Sequence, residues 1–125
     1  KNLKVIREEI HGLISKPGIK RVCIDCLELI GDEKEIEMLD FILELFASIK
    51  KAGISSIISY NSKENASSKE LEMIKSLADG IIQLVPSWGD EENDRALIIV
   101  KMRQTAHSRG HNLFEITDKG MIVYE

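Results

Sequence analysis

Residues 21–30 read RVCIDCLELI, and how this stretch is taken decides the fold. The run Val22–Cys23–Ile24 is β-prone and follows KPGIK (16–20), a turn signal. It predicts a short buried strand over 21–25 that presents a carboxylate, Asp25, at its carboxyl end. The same letters also spell C-x-x-C through Cys23 and Cys26, which invites a metal or redox reading. On a strand, residues three apart point to opposite faces and lie roughly 10 Å apart. That spacing is too long for one disulfide or one shared metal. Neither a second cysteine pair nor a Cys/His cluster completes a zinc site. The cysteines therefore read as two small buried apolar residues of a reduced protein, and Asp25 is the informative residue.

Outward from this strand, the pattern alternates. Leu3, Ile6, Ile10, Leu13 and Ile14 recur at helical spacing over about 2–15, and Pro17 and Gly18 stop that helix. After Asp25, GDEKE (31–35) marks a turn and an acidic helix start. Ile36, Leu39, Ile42, Leu43, Phe46 and Ile49 carry a second helix to about Lys51, capped by Gly53. ISSIISY (54–60) is a strand and NSKENASS (61–68) a polar loop. Ser67 and Glu70 form a capping box for a third helix, packed through Leu71, Ile74 and Leu77. DGIIQLV (79–85) is the third strand. Helices alternating with short apolar strands predict a parallel sheet with right-handed crossovers. The rhythm then changes to a strand over 95–103, joined by the short loop 86–94, and a hairpin over 113–125 turning at TDKG. The expected architecture is α/β, with parallel strands and crossover helices plus an antiparallel edge and hairpin at the C-terminal end.

The chain has 125 residues, enough for one domain with its own core, and a formal net charge of −4. That balance argues against nucleic acid or an anionic membrane as the main partner. No apolar run reaches transmembrane length and no signal-peptide pattern opens the chain, so the expected location is the cytoplasm. The first residue is Lys1, which reads as the start of a piece of something longer.

Three groups could carry chemistry. Asp25 lies where open α/β sheets bind ligands, beyond the carboxyl ends of the strands, and an acid there can hold Mg²⁺ through water. Such an acid can equally start the next turn. In RALIIVKMRQT (95–105), simple alternation places Leu97, Ile99, Lys101, Arg103 and Thr105 on one face. Lys101 and Arg103 would then lie about 7 Å apart with one orientation, suited to an anion such as phosphate. A solvated strand end paired to the chain's own acids is the alternative. TAHSRGH (105–111) adds His107, Arg109 and His111 in a polar loop, without an acid to complete a zinc set. No G-x-x-x-x-G-K-[ST] and no G-x-S-x-G occurs. Trp88, the sole tryptophan, sits in an acidic loop as a hairpin-tip residue or a partner anchor.

The segments KRVCIDCLELI (20–30), KKAGISSIISYNS (50–62), ADGIIQL (78–84) and KMRQTAHSRGHNLFEITDKGMIVY (101–124) resemble, in order and spacing, the C-terminal half of a KaiC-like ATPase domain of the RecA superfamily. K-x-R-x-T-x-H followed by F-x-I-T-D-x-G is the most specific part, and the resemblance covers nearly the whole chain. It implies a three-layer RecA-like partial domain over residues 1–125, lacking the P-loop half. It places Asp25 at the Walker B position near Mg²⁺. Lys101 and Arg103 fall on the pair that reaches the γ-phosphate of ATP bound to the neighbouring subunit. Thr105, His107 and Arg109 line that neighbour's nucleotide, and Asn61 can bond a water or phosphate. It further implies ATP and Mg²⁺ as cofactors, supplied with the missing half or a neighbour, a homo-oligomeric ring such as a hexamer, and a signalling or regulatory role. Without Walker A and the catalytic glutamates, the chain alone is expected to be inactive. At 59–61 this chain has Ser-Tyr-Asn, where the family often has Thr-Thr-Glu or a similar polar set. Two other readings compete: a non-catalytic interaction module that kept the fold, and a DNA-binding recombinase of the RecA type. The evenly mixed charge of 61–70 and the acidic balance count against the second.

Overall fold

The computed structural model describes residues 3–30, 35–62, 69–86 and 95–124. Trp88 and Ser67 lie outside them, as does most of the 86–94 loop. The chain divides into two compact units, residues 1–77 and 78–125.

The first unit opens with helix α1, Leu3–Ile14. Gly18, at φ +90°, turns the chain out of it, in the left-handed region open to glycine. Strand β1 is Arg21–Ile24, one residue shorter than expected, because Asp25 and Cys26 already leave the strand. A 3₁₀ turn over Leu27–Ile30 follows. Helix α2 spans Glu35–Lys51, and Gly53 at φ +65° ends it as predicted. Strand β2 is Ser55–Ile58 and helix α3 is Lys69–Leu77. β1 and β2 pair in parallel, Arg21 opposite Ser55 through Ile24 opposite Ile58.

The core of this unit joins Leu3 and Ile14 of α1 to Met38, Phe41, Ile42, Leu45 and Ile49 of α2, with Leu27 and Ile54. Val22, Ile24 and Ile58 pack on it from one face of the β1–β2 sheet, and Met73, Ile74 and Leu77 from α3. The buried stripe of α2 corrects the sequence reading. Ile36 and Leu43 are 72% and 44% exposed, while Met38, Phe41 and Leu45 are buried. The period is helical as expected; the phase is different. Cys23, opposite Ile57 on the other face of the sheet, is exposed rather than buried.

The second unit is an antiparallel sheet in the order β3-β4-β5-β6, so β3, expected as the third strand of the parallel series, belongs here instead, paired with β4. Its strands are β3 Gly80–Val85, β4 Ala96–Met102, β5 His111–Thr117 and β6 Gly120–Val123. The antiparallel return from β3 to β4 and the final hairpin follow the prediction. The hairpin turns over Asp118 and Lys119, with Thr117 opposite Gly120. Thr117 Oγ1 accepts from Lys119 N at 3.2 Å and donates to Gly120 O at 2.9 Å, and Gly120 sits at φ +119°. Ala96 and Phe114 are its buried side chains. No helix among the described residues is long and apolar enough to cross a membrane.

Candidate functional site

The strand β1 ends at Ile24, and the next three residues are tied down by one residue, Ser59, just past the end of β2. Ser59 N donates to Ile24 O at 2.9 Å, continuing the parallel pairing by one residue. Ser59 Oγ then donates to Asp25 Oδ1 at 2.5 Å and accepts from Cys26 N at 2.7 Å. Ser59 O accepts from Leu27 N at 3.0 Å. Cys26 adopts φ +55°, an uncommon conformation for a residue other than glycine. Leu27, immediately after, is fully buried and anchors the turn in the core. The carboxylate is thus presented at the carboxyl end of a parallel strand from a backbone fixed on both sides.

The electrostatics follow from these bonds. The Ser59 hydroxyl, and after it the Cys26 thiol, hold the Asp25 carboxyl below its usual range, against a smaller opposing effect of burial. Burial, with the neighbouring Asp25 and Glu28 charges, pushes the Cys26 thiol up. A raised thiol is the opposite of a reactive redox cysteine. Both cysteines are free.

Among the described residues, no group of three or more His, Cys, Asp or Glu could hold a metal ion. Among those residues Asp25 is thus outside any set of three or more such ligands. That does not meet a zinc site's need for three or four protein ligands. It does meet the habit of Mg²⁺, which keeps several waters and takes one or two carboxylates together with phosphate oxygens. Asn61, also in this unit, is exposed on the segment beyond β2. Tyr60 between them packs on the core, and its hydroxyl donates to Glu70 Oε2 of α3 at 3.3 Å.

The cationic residues belong to the second unit, and their geometry departs from simple alternation. Ile81 faces Lys101 but Ile82 faces Ile99, so Val100 is an extra residue in β4. Such a bulge re-aims the side chains after it, and Lys101 no longer continues the Leu97–Ile99 face. β4 ends at Met102, so Arg103 and Thr105 lie beyond it in a turn where Gln104 has φ +59°. Asp79, just before β3, fixes Arg103 twice. Asp79 O accepts from Arg103 N at 2.8 Å, and Asp79 Oδ1 pairs with Nη1 at 2.8 Å. Both side chains remain substantially exposed, at 45% and 66%. Thr105 Oγ1 donates to Arg103 O at 3.4 Å, and His107 Nδ1 lies 2.8 Å from Ser108 O. Lys101 and His107 are half-buried and Arg109 is exposed. The structure thus gathers Asp25 and Asn61 in one unit, and Lys101, Arg103, Thr105, His107 and Arg109 in the other. Sequence reasoning missed the bonding roles of Ser59 and Asp79. Each lies at a strand end level with a polar group on a neighbouring strand, which a pairing register would have revealed.

A parallel strand pair joined through a helix, an acid at its carboxyl end and an antiparallel C-terminal sheet define a RecA-like α/β protein. The family model described as "ATPase: KaiC" matches residues 1–125, and the chain belongs to that family. It is 34% identical over 122 residues to a UPF0273 protein of Aeropyrum pernix, covering 98% of this chain and 48% of that one. It is 26% identical over 126 residues to the circadian clock oscillator protein KaiC of Acaryochloris marina, covering 98% of this chain and 24% of that one. A crystal structure of a KaiC-like protein from Pyrococcus horikoshii superposes with a TM-score of 0.80 at 25% identity, over 99% of this chain and 55% of that chain. The chain spans about half the length of the UPF0273 relative.

Proposed function

We propose that this chain is the Asp25-bearing part of an ATP-hydrolysing subunit that works in a homo-oligomeric ring, a hexamer in the simplest case, in the cytoplasm. The observation that carries this reading is the fixed, ionised Asp25 at the carboxyl end of β1 in a member of an ATPase family. In it, Asp25 would hold Mg²⁺ through a water, and the ion would supply the charge that neutralises the phosphates of ATP. The phosphate-binding loop, which these 125 residues do not contain, is assigned to another segment of the protein. Lys101 and Arg103 reach the γ-phosphate held by a neighbouring subunit, where charge builds up in the transition state. Asn61, Thr105, His107 and Arg109 line the nucleotide. Asp79 supports the role of Arg103, because a guanidinium carries five N–H donors and can serve a phosphate while Asp79 fixes its position. The expected role is regulatory.

One observation favours a second reading, a non-catalytic interaction module. The Arg103 charge is paired within its own chain. Arg103→Ala in the full-length protein separates the two. The ATPase reading expects kcat to fall by about a hundredfold or more with ATP affinity nearly kept. Unchanged turnover removes the finger role, and absence of ATP hydrolysis in the wild type supports the interaction module.

A further inference from the structure

The Asp25 carboxylate does not stand alone: a hydroxyl just past the neighbouring strand donates to it. We infer that Ser59 is a positioning residue for cation binding at Asp25, acting through the Ser59–Asp25 hydrogen bond and the Cys26 N–H it accepts. This rests on the reading of Asp25 as the Mg²⁺-side carboxylate.

The geometry carries the inference. The hydroxyl has one proton to donate and lone pairs to accept with. Its proton goes to Asp25 Oδ1 at 2.5 Å, and it accepts the Cys26 N–H at 2.7 Å. The acceptor role toward an N–H obliges the hydroxyl proton to point elsewhere, and the carboxylate is where it points. The Ser59 backbone is tied on both sides, since its N–H donates to Ile24 O and its C=O accepts from Leu27 N. The carboxylate is therefore held by a hydroxyl on a tethered backbone outside its own strand. Residues that hydrogen-bond metal-side groups in this way fix the orientation of the ligand, and losing one typically weakens metal binding about tenfold or more. The same bonds stabilise the φ +55° conformation of Cys26, so the bend that exposes Asp25 and the orientation of its carboxylate share one cause. Oδ1 is engaged by Ser59, which keeps that edge of the carboxylate aligned.

Thr keeps the hydroxyl and Ala removes it, so the two substitutions part orientation from mere packing. In the full-length protein with a non-hydrolysable ATP analogue, Mn²⁺ affinity is measured by electron paramagnetic resonance for wild type, Ser59→Ala, Ser59→Thr and Asp25→Asn. Thermal stability is recorded alongside. Ser59→Ala is expected to weaken Mn²⁺ binding about tenfold, and Ser59→Thr to restore it to near the wild-type value. Wild-type Mn²⁺ affinity in a folded Ser59→Ala protein, with Asp25→Asn impaired, overturns the positioning role alone. Wild-type affinity in Asp25→Asn overturns the reading of Asp25 itself, and the inference with it. Should Ser59→Ala fail to fold, Ser59→Thr and Ser59→Cys decide. Equal Mn²⁺ affinity in these two overturns the inference, because a thiol is a far weaker donor than a hydroxyl; weaker binding by Ser59→Cys alone supports it.

Discussion

At the scale of single residues, the sequence marks Asp25 clearly and its partners hardly at all. An acid closing an apolar run is visible in the letters, whereas the hydroxyl that orients it lies 34 positions away. Ser59 is one serine among several in 55–68, and nothing local separates it from the rest. The same holds for Asp79, whose two bonds to Arg103 arise from antiparallel pairing. A second pair of this kind gives a pH prediction. The Tyr124 hydroxyl donates to Glu115 Oε2 at 3.0 Å, and chiefly this bond raises the phenol above its ordinary value. A raised phenol means the folded state holds its proton more tightly than the unfolded chain. The bond's contribution is therefore complete below the unfolded value of about 10 and is lost as pH rises through the folded one. Urea titrations across pH are expected to show wild type more stable than Tyr124→Phe at neutral pH, with the gap closing above about pH 10. A gap that stays constant into alkali contradicts the assigned cause.

At the scale of elements, periodicity set the type of each helix and strand, and packing set the details. In α2 nearly every second or third position is apolar, so two stripes fit the helical period. The core selects Met38, Phe41, Ile42, Leu45 and Ile49, and leaves Ile36 and Leu43 exposed. A period cannot choose between two such phases; the neighbouring helix and sheet do. Likewise, alternation in β4 fails at Val100, because a bulge depends on the register against β3 rather than on residue type. On β4 the Met102 side chain covers Gly80. A Cβ on Gly80 would stand 2.9 Å from Met102 Sδ, the flexible end of its registered partner, while the nearest backbone atom, Lys101 O, is at an ordinary 3.8 Å. Gly80→Ala is therefore expected to swing the Met102 thioether aside and leave the strand pairing and the Arg103 turn in place. The cost, measured by urea denaturation, should stay within about 1 kcal/mol, with turnover of the full-length protein kept. A loss of several kcal/mol, or a loss of turnover, shows that Met102 cannot yield and that the turn carrying Arg103 depends on it.

At the scale of the whole molecule, the α/β class and the antiparallel end were legible because βαβ rhythm and hairpin signals are local. The division between residues 77 and 78 was not, since no glycine- or proline-rich stretch marks it. The candidate residues divide in the same way: the carboxylate belongs to residues 1–77 and the cations to residues 78–125. In the proposed function these groups meet across two copies of the protein. The decisive measurement mixes full-length Asp25→Asn with full-length Arg103→Ala, each expected to be strongly impaired alone. ATP hydrolysis is expected to return on mixing, because some interfaces then join an intact Asp25 from one subunit to an intact Arg103 from the other. A mixture as inactive as its two components, under conditions where mixed oligomers are shown to form, contradicts the proposal.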